Sequence, residues 1–388
     1  MHTWLLPENI EDVLPPAAWQ LEQARRVALD LFASHGYELV QPPLIEFVES
    51  LLTGTGRDMR LATFTLVDQL SGRPMGLRAD ITPQAARIDA HLLNRQGVTR
   101  LCYAGSVLHT RPASVDASRE LFQVGAELFG HGGLEADVEI QRLMLILLKR
   151  LGLADVLLAL GHVGIFRALT RRAAVEEEQE ADLFEALQHK DVSTLRELSA
   201  GCSREIREAL LLLPDLYGPR EVLDEAARRL PPYPEIGAAL DALQTLADVL
   251  QEEGARLHFD LAELRGYHYH SGVVFAAYVQ GCARAVAQGG RYDGAGRVFG
   301  RARSATGFST DLRTLLPHMA TGVKRAGILA PWGEDPTLRA RIEALRAAGE
   351  VVVVELPGQE PHRGESGCDR QLVYREGGWQ VEPLPAGA

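Results

Sequence analysis

The chain of 388 residues has few cysteines, and no two of them are close together. Cys102, Cys202, Cys282 and Cys368 lie at least 80 residues apart. This spacing excludes a CxxC metal site and does not suggest the disulfide framework of a small secreted domain. We therefore expect free, buried thiols and no metal site.

Long apolar runs are also missing from the sequence. No segment approaches the roughly 18 uninterrupted apolar residues that predict a transmembrane helix. The first ten residues, MHTWLLPENI, have neither the basic start nor the apolar run of a signal peptide. These absences predict a cytoplasmic protein without a membrane partner.

Acidic residues outnumber basic ones. The chain has 52 Asp and Glu but only 40 Lys and Arg, which gives a formal net charge of −12. A nucleic-acid binder usually carries a basic face that releases counterions from the phosphate backbone. The sequence therefore predicts no nucleic-acid partner. Its 46% of hydrophobic residues is enough for one large domain and appendages, each with its own core.

The first part of the chain is typical of a helix followed by two hairpins. Apolar residues at helical spacing after Pro16 predict a helix that stops at Gly36. A short strand follows at 37–40, and a turn-like Ser71-Gly72-Arg73 indicates a hairpin. The remaining elements expected here are strands at 63–67 and 75–78, a helix from Thr82 to Leu92, and a second hairpin of strands 100–108 and 119–129.

The rest of the chain is mainly helical before strands return. Residues 134–150 follow a helical pattern, and from about 167 to 250 nearly every segment is helical, acidic and amphipathic. Later expected elements are strands at 257–260 and 273–279, a glycine-rich stretch at 288–294, a helix at 309–316, and, in the tail, strand 326–329, helix 337–347, strand 351–356 and two weak strands near Leu372 and Val381.

This order of elements predicts an α+β fold, because runs of antiparallel strands with segregated helices differ from a doubly wound parallel sheet. Residues 1–166 and 256–320 are assigned to the main domain. Residues 167–255 are expected to be a helical insertion, and residues 321–388 a small C-terminal α/β domain.

One predicted strand, residues 119–129, carries polar side chains on a single face. Side chains alternate along a strand, so Val124 and Ala126 belong to an apolar face, whereas Gln123 and Glu127 lie on the other. By ~3.3 Å per residue the carboxamide and the carboxylate are about 13 Å apart, with Gly125 between them. This pattern suits a floor for a small polar ligand, although the strand by itself favours a face that is merely wet.

Two further segments add polar groups. Asp80 and Thr82 stand at a strand-to-helix junction, where they could hold an ammonium group, although an aspartate there more often caps the helix. Residues 265–271, RGYHYHS, concentrate an arginine, two tyrosines and two histidines. Arginine suits a carboxylate, and tyrosine or histidine can hydrogen-bond an imidazole. For His268 and His270 separately, a structural or solvated role is the better explanation.

These segments resemble those of histidyl-tRNA synthetases. Residues 265–275 are similar to the histidine-specific RGLDYYTG-type motif, 77–82 to the LRPEGT segment, and 101–130 to the motif 2 hairpin. Residues 289–294, GGRYDG, resemble the GGRYDGL element. The resemblance covers roughly residues 1–320 and includes a helix and strand similar to the dimer-forming motif 1. It implies a class II synthetase-like antiparallel sheet flanked by helices.

The resemblance also implies roles for individual residues in binding histidine. The α-amino group would be held by Asp80, Thr82 and Gln123, the carboxylate by Arg265, and the imidazole by Glu127 and Tyr269. Asp80 is shorter than the family glutamate, and His270 replaces a family tyrosine.

The departures from the family concern ATP. The motif 2 arginine that contacts the α-phosphate is replaced by Leu108 or His109, depending on a one-residue gap, and Arg111 in the loop is a possible substitute. Asp311 stands at the motif 3 glycine, and Thr314 at its arginine. Each lost charge-assisted contact is worth roughly 1.5–3 kcal/mol, so two losses would slow adenylation by several powers of ten.

A kept histidine pocket beside a broken ATP pocket resembles the regulatory subunits of ATP phosphoribosyltransferase. That resemblance implies no catalysis and no cofactor, self-association as a dimer, a short-form catalytic subunit as partner, and L-histidine as feedback ligand for the first step of histidine biosynthesis. Two alternatives stay open. One is an active histidyl-tRNA synthetase or derived ligase in which Arg111 replaces the lost arginine, and the other is a structural dimer whose pocket is a relic.

Overall fold

The structure, a computed structural model, describes residues 4–53, 57–115, 117–153, 155–252, 254–264, 266, 269–294, 296–319 and 326–385. The chain divides into two units, Met1–Ala320 and Thr321–Ala388. The strands of the first unit are β1 Glu38–Leu39, β2 Ile45–Phe47, β3 Phe64–Val67, β4 Pro74–Leu77, β5 Thr99–Leu108, β6 Glu120–Phe129, β7 Leu157–His162, β8 Tyr217–Gly218, β9 Arg256–Asp260, β10 Val273–Tyr278, β11 Ala287–Arg291 and β12 Ala305–Asp311.

Helices of the first unit pack around these strands. They are α1 Ala17–Ser34, α2 Val48–Leu51, α3 Arg57–Ala62, α4 Thr82–Arg87 continued by a π-helical segment Ile88–Leu93, α5 Leu134–Arg150, α6 Val163–Ala173, α7 Glu177–Gln188, α8 Val192–Leu198, α9 Arg204–Leu212, α10 Glu221–Arg229, α11 Pro234–Glu252 and α12 Leu312–Leu315, with 3₁₀ turns at Leu213–Asp215, Arg297–Phe299 and Leu316–His318.

The largest sheet carries Gln123 and Glu127 on β6. Within the described residues it has nine strands in the order β1-β5-β6-β12-β11-β10-β7-β9-β8. The β1–β5 and β7–β9 pairs are parallel and the others antiparallel. Among the same residues β2, β4 and β3 form a separate three-stranded antiparallel sheet. The α+β class predicted from the sequence is confirmed, with two parallel pairs in a mainly antiparallel sheet.

One face of the large sheet is covered by helices, and local sequence explains why they form. Along α1, Ala24, Ala28, Leu31 and Phe32 are buried at helical spacing. Helix α5 has acidic residues in its first turn and basic residues in its last, which complements the helix dipole. The apolar face of β6, including Val124 and Ala126, is buried in the same core, as the alternation predicted.

Most secondary structure expected from the sequence is confirmed, but one expected helix is wrong, and several strands were not expected, among them β2, β7, β8 and β12. The segment 309–316 does not form a single helix, because β12 runs through Asp311 and α12 begins only at Leu312. Strand β12 pairs with β6 on one side and β11 on the other, and these long-range bonds override its weak local pattern. Strand β7 was not expected at all.

The second unit has its own small core. Its elements are β13 Gly327–Ala330, α13 Pro336–Ala347, β14 Val352–Val354, a 3₁₀ segment Glu360–Glu365, β15 Cys368–Arg375 and β16 Gly378–Pro383. The sheet order among the described residues is β14-β13-β15-β16, and only β15 and β16 pair antiparallel. Ile328, Leu338, Ile342 and Leu372 pack together in its core.

Within the described residues, no helix is both long and apolar enough to cross a membrane. The cysteines are free, as expected, although only Cys102 is fully buried, and burial raises the pKa of its thiol to about 12. No group of three or more His, Cys, Asp and Glu side chains in the described part of the chain could hold a metal ion.

A buried ion pair fixes α5 to the sheet. Arg291 on β11 donates from Nη2 and Nε to Asp137 Oδ2 at 2.7 and 3.0 Å, and from Nη2 to Gly133 O at 2.9 Å. Both side chains are nearly inaccessible to solvent. Burial raises the pKa of Asp137, and Arg291 opposes that rise. Removing the arginine would leave a buried carboxyl group without its counter-ion.

We expect Arg291→Met to lower the free energy of unfolding by about 3–5 kcal/mol, because breaking one partner of a buried pair leaves the other uncompensated. The exposed pair between Arg95 and Glu38 offers the control. Arg95→Met should change the free energy of unfolding far less, because exposed ion pairs contribute little. Urea titrations of both variants measure the difference, and equal small losses would contradict the structural importance of the buried pair.

Candidate functional site

A cavity of about 290 Å³ opens on the face of the large sheet opposite the helical core. Its floor is formed by β6, β10, β11 and β12, and α4 and the segment before it supply one wall. The size lies near the lower end of the range of roughly 300–1,000 Å³ that is typical of small-molecule pockets. The cavity therefore suits a ligand of amino-acid size.

Two glycines on the floor of the cavity leave space for polar side chains. Gly125 on β6 pairs with Ser309, and Gly307 on β12 pairs with Glu127, so all four face the cavity side of the sheet. A Cβ at Gly307 would overlap the Glu127 carboxylate, and one at Gly125 would overlap the Tyr103 hydroxyl. Larger residues at these two positions would displace the polar groups that define the site.

Glu127 is the buried centre of the cavity. Its Oε1 accepts a hydrogen bond from Tyr103 OH at 2.9 Å, and its Oε2 accepts one from Tyr292 OH at 2.5 Å. The residue is 1% exposed. Burial raises the pKa of its carboxyl group from 4.5 to about 8, and the two tyrosine hydrogen bonds only partly oppose the rise. A cationic or hydrogen-bond-donating ligand group would favour the ionised form.

Asp80 and Thr82 lie where β4 leads into α4, as the sequence predicted, and both line the cavity. Asp80 Oδ1 accepts from Gln123 Nε2 at 2.7 Å and from the Thr82 amide at 3.0 Å. The Thr82 hydroxyl lies 2.9 Å from Tyr103 OH. Since the Tyr103 hydroxyl donates to Glu127, the Thr82 hydroxyl must donate to Tyr103. A chain of hydrogen bonds therefore runs from Thr82, whose amide donates to Asp80, through Tyr103 to Glu127.

Gln123 holds Asp80 and does not itself line the cavity. Its Nε2 donates to Asp80, and its Oε1 accepts from the Ile81 amide at 2.9 Å. Both ends of the carboxamide are thereby engaged with the segment that precedes α4. The contact fixes the Asp80 carboxylate at the edge of the cavity.

Tyr269 and His270 form the opposite wall. The Tyr269 ring stacks on Tyr292 with centroids 4.7 Å apart, and its buried hydroxyl has no hydrogen-bond partner among the described residues. An unpaired buried hydroxyl costs free energy that a ligand can recover. The His270 ring lines the cavity and packs over Gly290, where a Cβ would come within 2.7 Å of it.

Of the remaining candidate residues, only Arg111 is described, and it is not brought into this group. Arg111 is exposed beyond the end of β5 and is not among the residues that line the cavity. Arg265, together with Tyr267 and His268, lies outside the described residues. Its predicted carboxylate contact therefore stays a prediction.

Several residues that line the cavity were not predicted from the sequence. Phe184 and Gln188 come from α7, Glu263 follows β9, and Gln288 lies on β11 opposite Ser309. Phe184 and Gln188 lie far in sequence from every recognised motif, so no local pattern identifies them. Glu263 and Gln288 lie next to the motifs at 265–275 and 289–294 but were not singled out as site residues. Tyr292 belongs to the GGRYDG stretch, and its hydrogen bond to Glu127 was not anticipated.

Two arginines next to the positions matched to motifs 2 and 3, Arg119 and Arg313, are engaged by other groups. Among the described residues, no arginine or lysine lines the cavity. Arg313 forms an ion pair with Glu120 at 3.1 Å, and Arg119 donates to His109 O at 3.2 Å. The Asp311 carboxylate accepts from the amides of Phe122 and Arg313 at 2.8 and 3.1 Å, so it caps α12 and joins it to β6.

The raised pKa of Glu127 gives a stability prediction. Between 4.5 and about 8 the unfolded carboxyl group ionises while the folded one keeps its proton. Stability contributed by the protonated form is therefore lost as the pH rises through this window. The glutamine of Glu127→Gln does not titrate. The free energy of unfolding of this variant, relative to that of the wild type, should therefore rise by up to about 1.4 kcal/mol for each pH unit. Urea titrations at several pH values test this, and parallel pH profiles would contradict it.

Family models cover both units of the chain. One described as histidyl-tRNA synthetase matches residues 9–315, and one described as the ATP phosphoribosyltransferase subunit HisZ C-terminal domain matches residues 325–382. A solved structure from Bacillus halodurans, described as an ATP phosphoribosyltransferase regulatory subunit/histidyl-tRNA synthetase, has a TM-score of 0.83 at 28% identity, over 94% of this chain and 96% of that one. A histidyl-tRNA synthetase from Nostoc, at 17% identity and TM-score 0.76, shares the fold over 95% of this chain and 91% of its own.

Curated relatives are similar over nearly the whole length. The ATP phosphoribosyltransferase regulatory subunit of Cupriavidus pinatubonensis is 60% identical over 380 residues, which is 98% of this chain and 99% of the relative. The protein of the same description from Paraburkholderia xenovorans is 58% identical over 383 residues, 99% of this chain and 100% of the relative. The chain belongs to the family of ATP phosphoribosyltransferase regulatory subunits.

Proposed function

We propose that this chain senses L-histidine as the non-catalytic regulatory subunit of an ATP phosphoribosyltransferase. It would be required for the first step of histidine biosynthesis and would carry feedback inhibition by the end product. The observation that supports this most is a cavity in which Glu127 is buried beside Tyr269, whose hydroxyl has no hydrogen-bond partner among the described residues. The described lining also has no arginine or lysine for a nucleotide phosphate.

Each end of histidine has a chemically suitable partner. The ammonium group would bind Asp80 and the Thr82 hydroxyl, with Gln123 keeping Asp80 in position. The imidazole would lie between Glu127 and Tyr269, which offer an acceptor and a donor. Arg265 would pair with the carboxylate, a role that rests on the family motif alone. Arg111, exposed outside the cavity, takes no part in this proposal.

Adenylation is not expected of this site. Two cationic contacts to ATP are replaced by Leu108 and Thr314, and the Asp311 carboxylate adds a negative charge where polyphosphate would approach. That carboxylate is itself held by the capping bonds at the start of α12, which makes it unsuited to move away. Binding energy for histidine can then shift an equilibrium between assembly states, by a coupling of about 1–3 kcal/mol.

The proposal includes partners and organisation. A short-form ATP phosphoribosyltransferase catalytic subunit is the partner to be activated, the regulatory chain associates as a dimer, and the complex works in the cytoplasm. We also propose that residues 167–255 are an insertion in the domain formed by 1–166 and 256–320, with 321–388 as a separate C-terminal domain.

The direct experiment is co-purification with a short-form catalytic subunit, followed by its activity with and without histidine. Activation by this chain and inhibition by histidine are expected. A complex whose activity ignores histidine would overturn the sensing role.

Glu127→Ala should weaken histidine binding and inhibition by roughly 10- to 100-fold, because a hydrogen bond to a charged group contributes about 1.5–3 kcal/mol. Assembly should be spared, since the opposite face of β6 carries the packing. Glu120→Ala, on the same strand but outside the cavity, is the matched control. Calorimetry measures binding, and loss of soluble complex by Glu127→Ala alone would contradict this separation of roles.

Histidine-dependent exchange between ATP and pyrophosphate tests the absence of adenylation. We expect no exchange above the rate without enzyme, since the cationic groups that stabilise the transition state are missing. Robust exchange, lost in Arg111→Ala, would show an active synthetase or ligase in which Arg111 replaces the motif 2 arginine.

A further inference from the structure

Helix α7 belongs to the mainly helical residues 167–255, called the helical segment below, and it contributes a wall to the cavity. Leu183, Ala186 and Leu187 are buried on its inner side. Phe184 and Gln188, four residues apart and therefore on one side of the helix, line the cavity instead. The same helix thus packs on the core of the helical segment and reaches the floor where Glu127 lies.

The end of α7 is tied to a second part of the wall. Lys190 Nζ lies 2.9 Å from Asp260 Oδ2 at the end of β9, and 4.3 Å from the centre of the Tyr217 ring on β8. Asp260 in turn accepts the amide of Glu263 on its backbone oxygen at 3.1 Å. Glu263 lines the cavity as well. One ion pair thus joins the end of α7 to the segment that carries Glu263.

This ion pair is partly exposed, with 39% of the lysine and 21% of the aspartate side chain accessible. Pairs of this kind contribute little to stability. The ion pair therefore adds little to the packing of Leu183, Ala186 and Leu187 that holds α7. A ligand that contacts Phe184 and Gln188 would add contacts on the cavity side of the helix.

We propose that α7 is a ligand-contacting wall of the cavity, with Gln188 as a specificity-determining residue, and that an amino acid bound there orders α7 and the helical segment behind it. The Gln188 carboxamide can donate to a ligand carboxylate or accept from its ammonium group. The Phe184 ring excludes water and so strengthens the polar contacts around Glu127. This inference rests on the proposed binding of histidine.

The test uses the full chain in complex with its catalytic subunit. Calorimetry should show that Gln188→Ala raises the Kd for L-histidine about three- to tenfold, the effect of one lost hydrogen bond. Glu185→Ala, exposed on the same helix and outside the cavity, should stay within about twofold of the wild type. Phe184→Leu, which keeps an apolar side chain in the core, should also bind more weakly.

Hydrogen exchange supplies the second measurement. Saturating L-histidine should slow exchange of the α7 amides in the wild type, and this protection should shrink in Gln188→Ala at the same histidine concentration. Two outcomes overturn the inference about α7 but leave the proposed histidine site unaffected. In one, the wild type binds histidine tightly and Gln188→Ala has the same Kd; in the other, histidine does not protect the α7 amides from exchange. If the wild type binds no histidine, both are overturned.

Discussion

Burial of the Glu127 carboxyl group is the constraint on which the cavity depends. A carboxyl group that is 1% exposed is tolerated only because hydroxyls from β5 and from the end of β11 reach both of its oxygens. Gly125 leaves the space that the Tyr103 hydroxyl occupies, and Gly307 leaves the space that the carboxylate itself occupies. The pairing register of the central strands therefore sets the chemistry of the site.

The same sheet explains how a synthetase-like fold can serve regulation. Hydrogen bonds from Gln123 and Thr82 keep Asp80 at one edge of the cavity, while Asp311 is used to cap α12. The polar groups that suit an amino acid are thus present, and the described lining has no cation for a polyphosphate. In the proposed function, histidine binds without a following reaction, which leaves its free energy of binding available to bias assembly.

Contact with α7 would connect this pocket to the rest of the chain. Phe184 and Gln188 bring α7 to the wall of the cavity, and a partly exposed ion pair joins Lys190 to Asp260. A small ligand can shift an equilibrium only by differential contacts. A wall that belongs to another packed segment is a place where such contacts can arise.

The sequence by itself determined the α+β class, the two hairpins, helix α5 and the inward and outward faces of β6, because these follow from local periodicity. The sequence motifs also identified a set of candidate residues, and the fold brings these five together: Asp80, Thr82, Glu127, Tyr269 and His270. Only the tertiary structure decided that 309–311 is strand, that Gln123 serves Asp80, and that Arg111 lies outside the cavity. It alone revealed Phe184 and Gln188, because contacts between distant segments leave no local pattern.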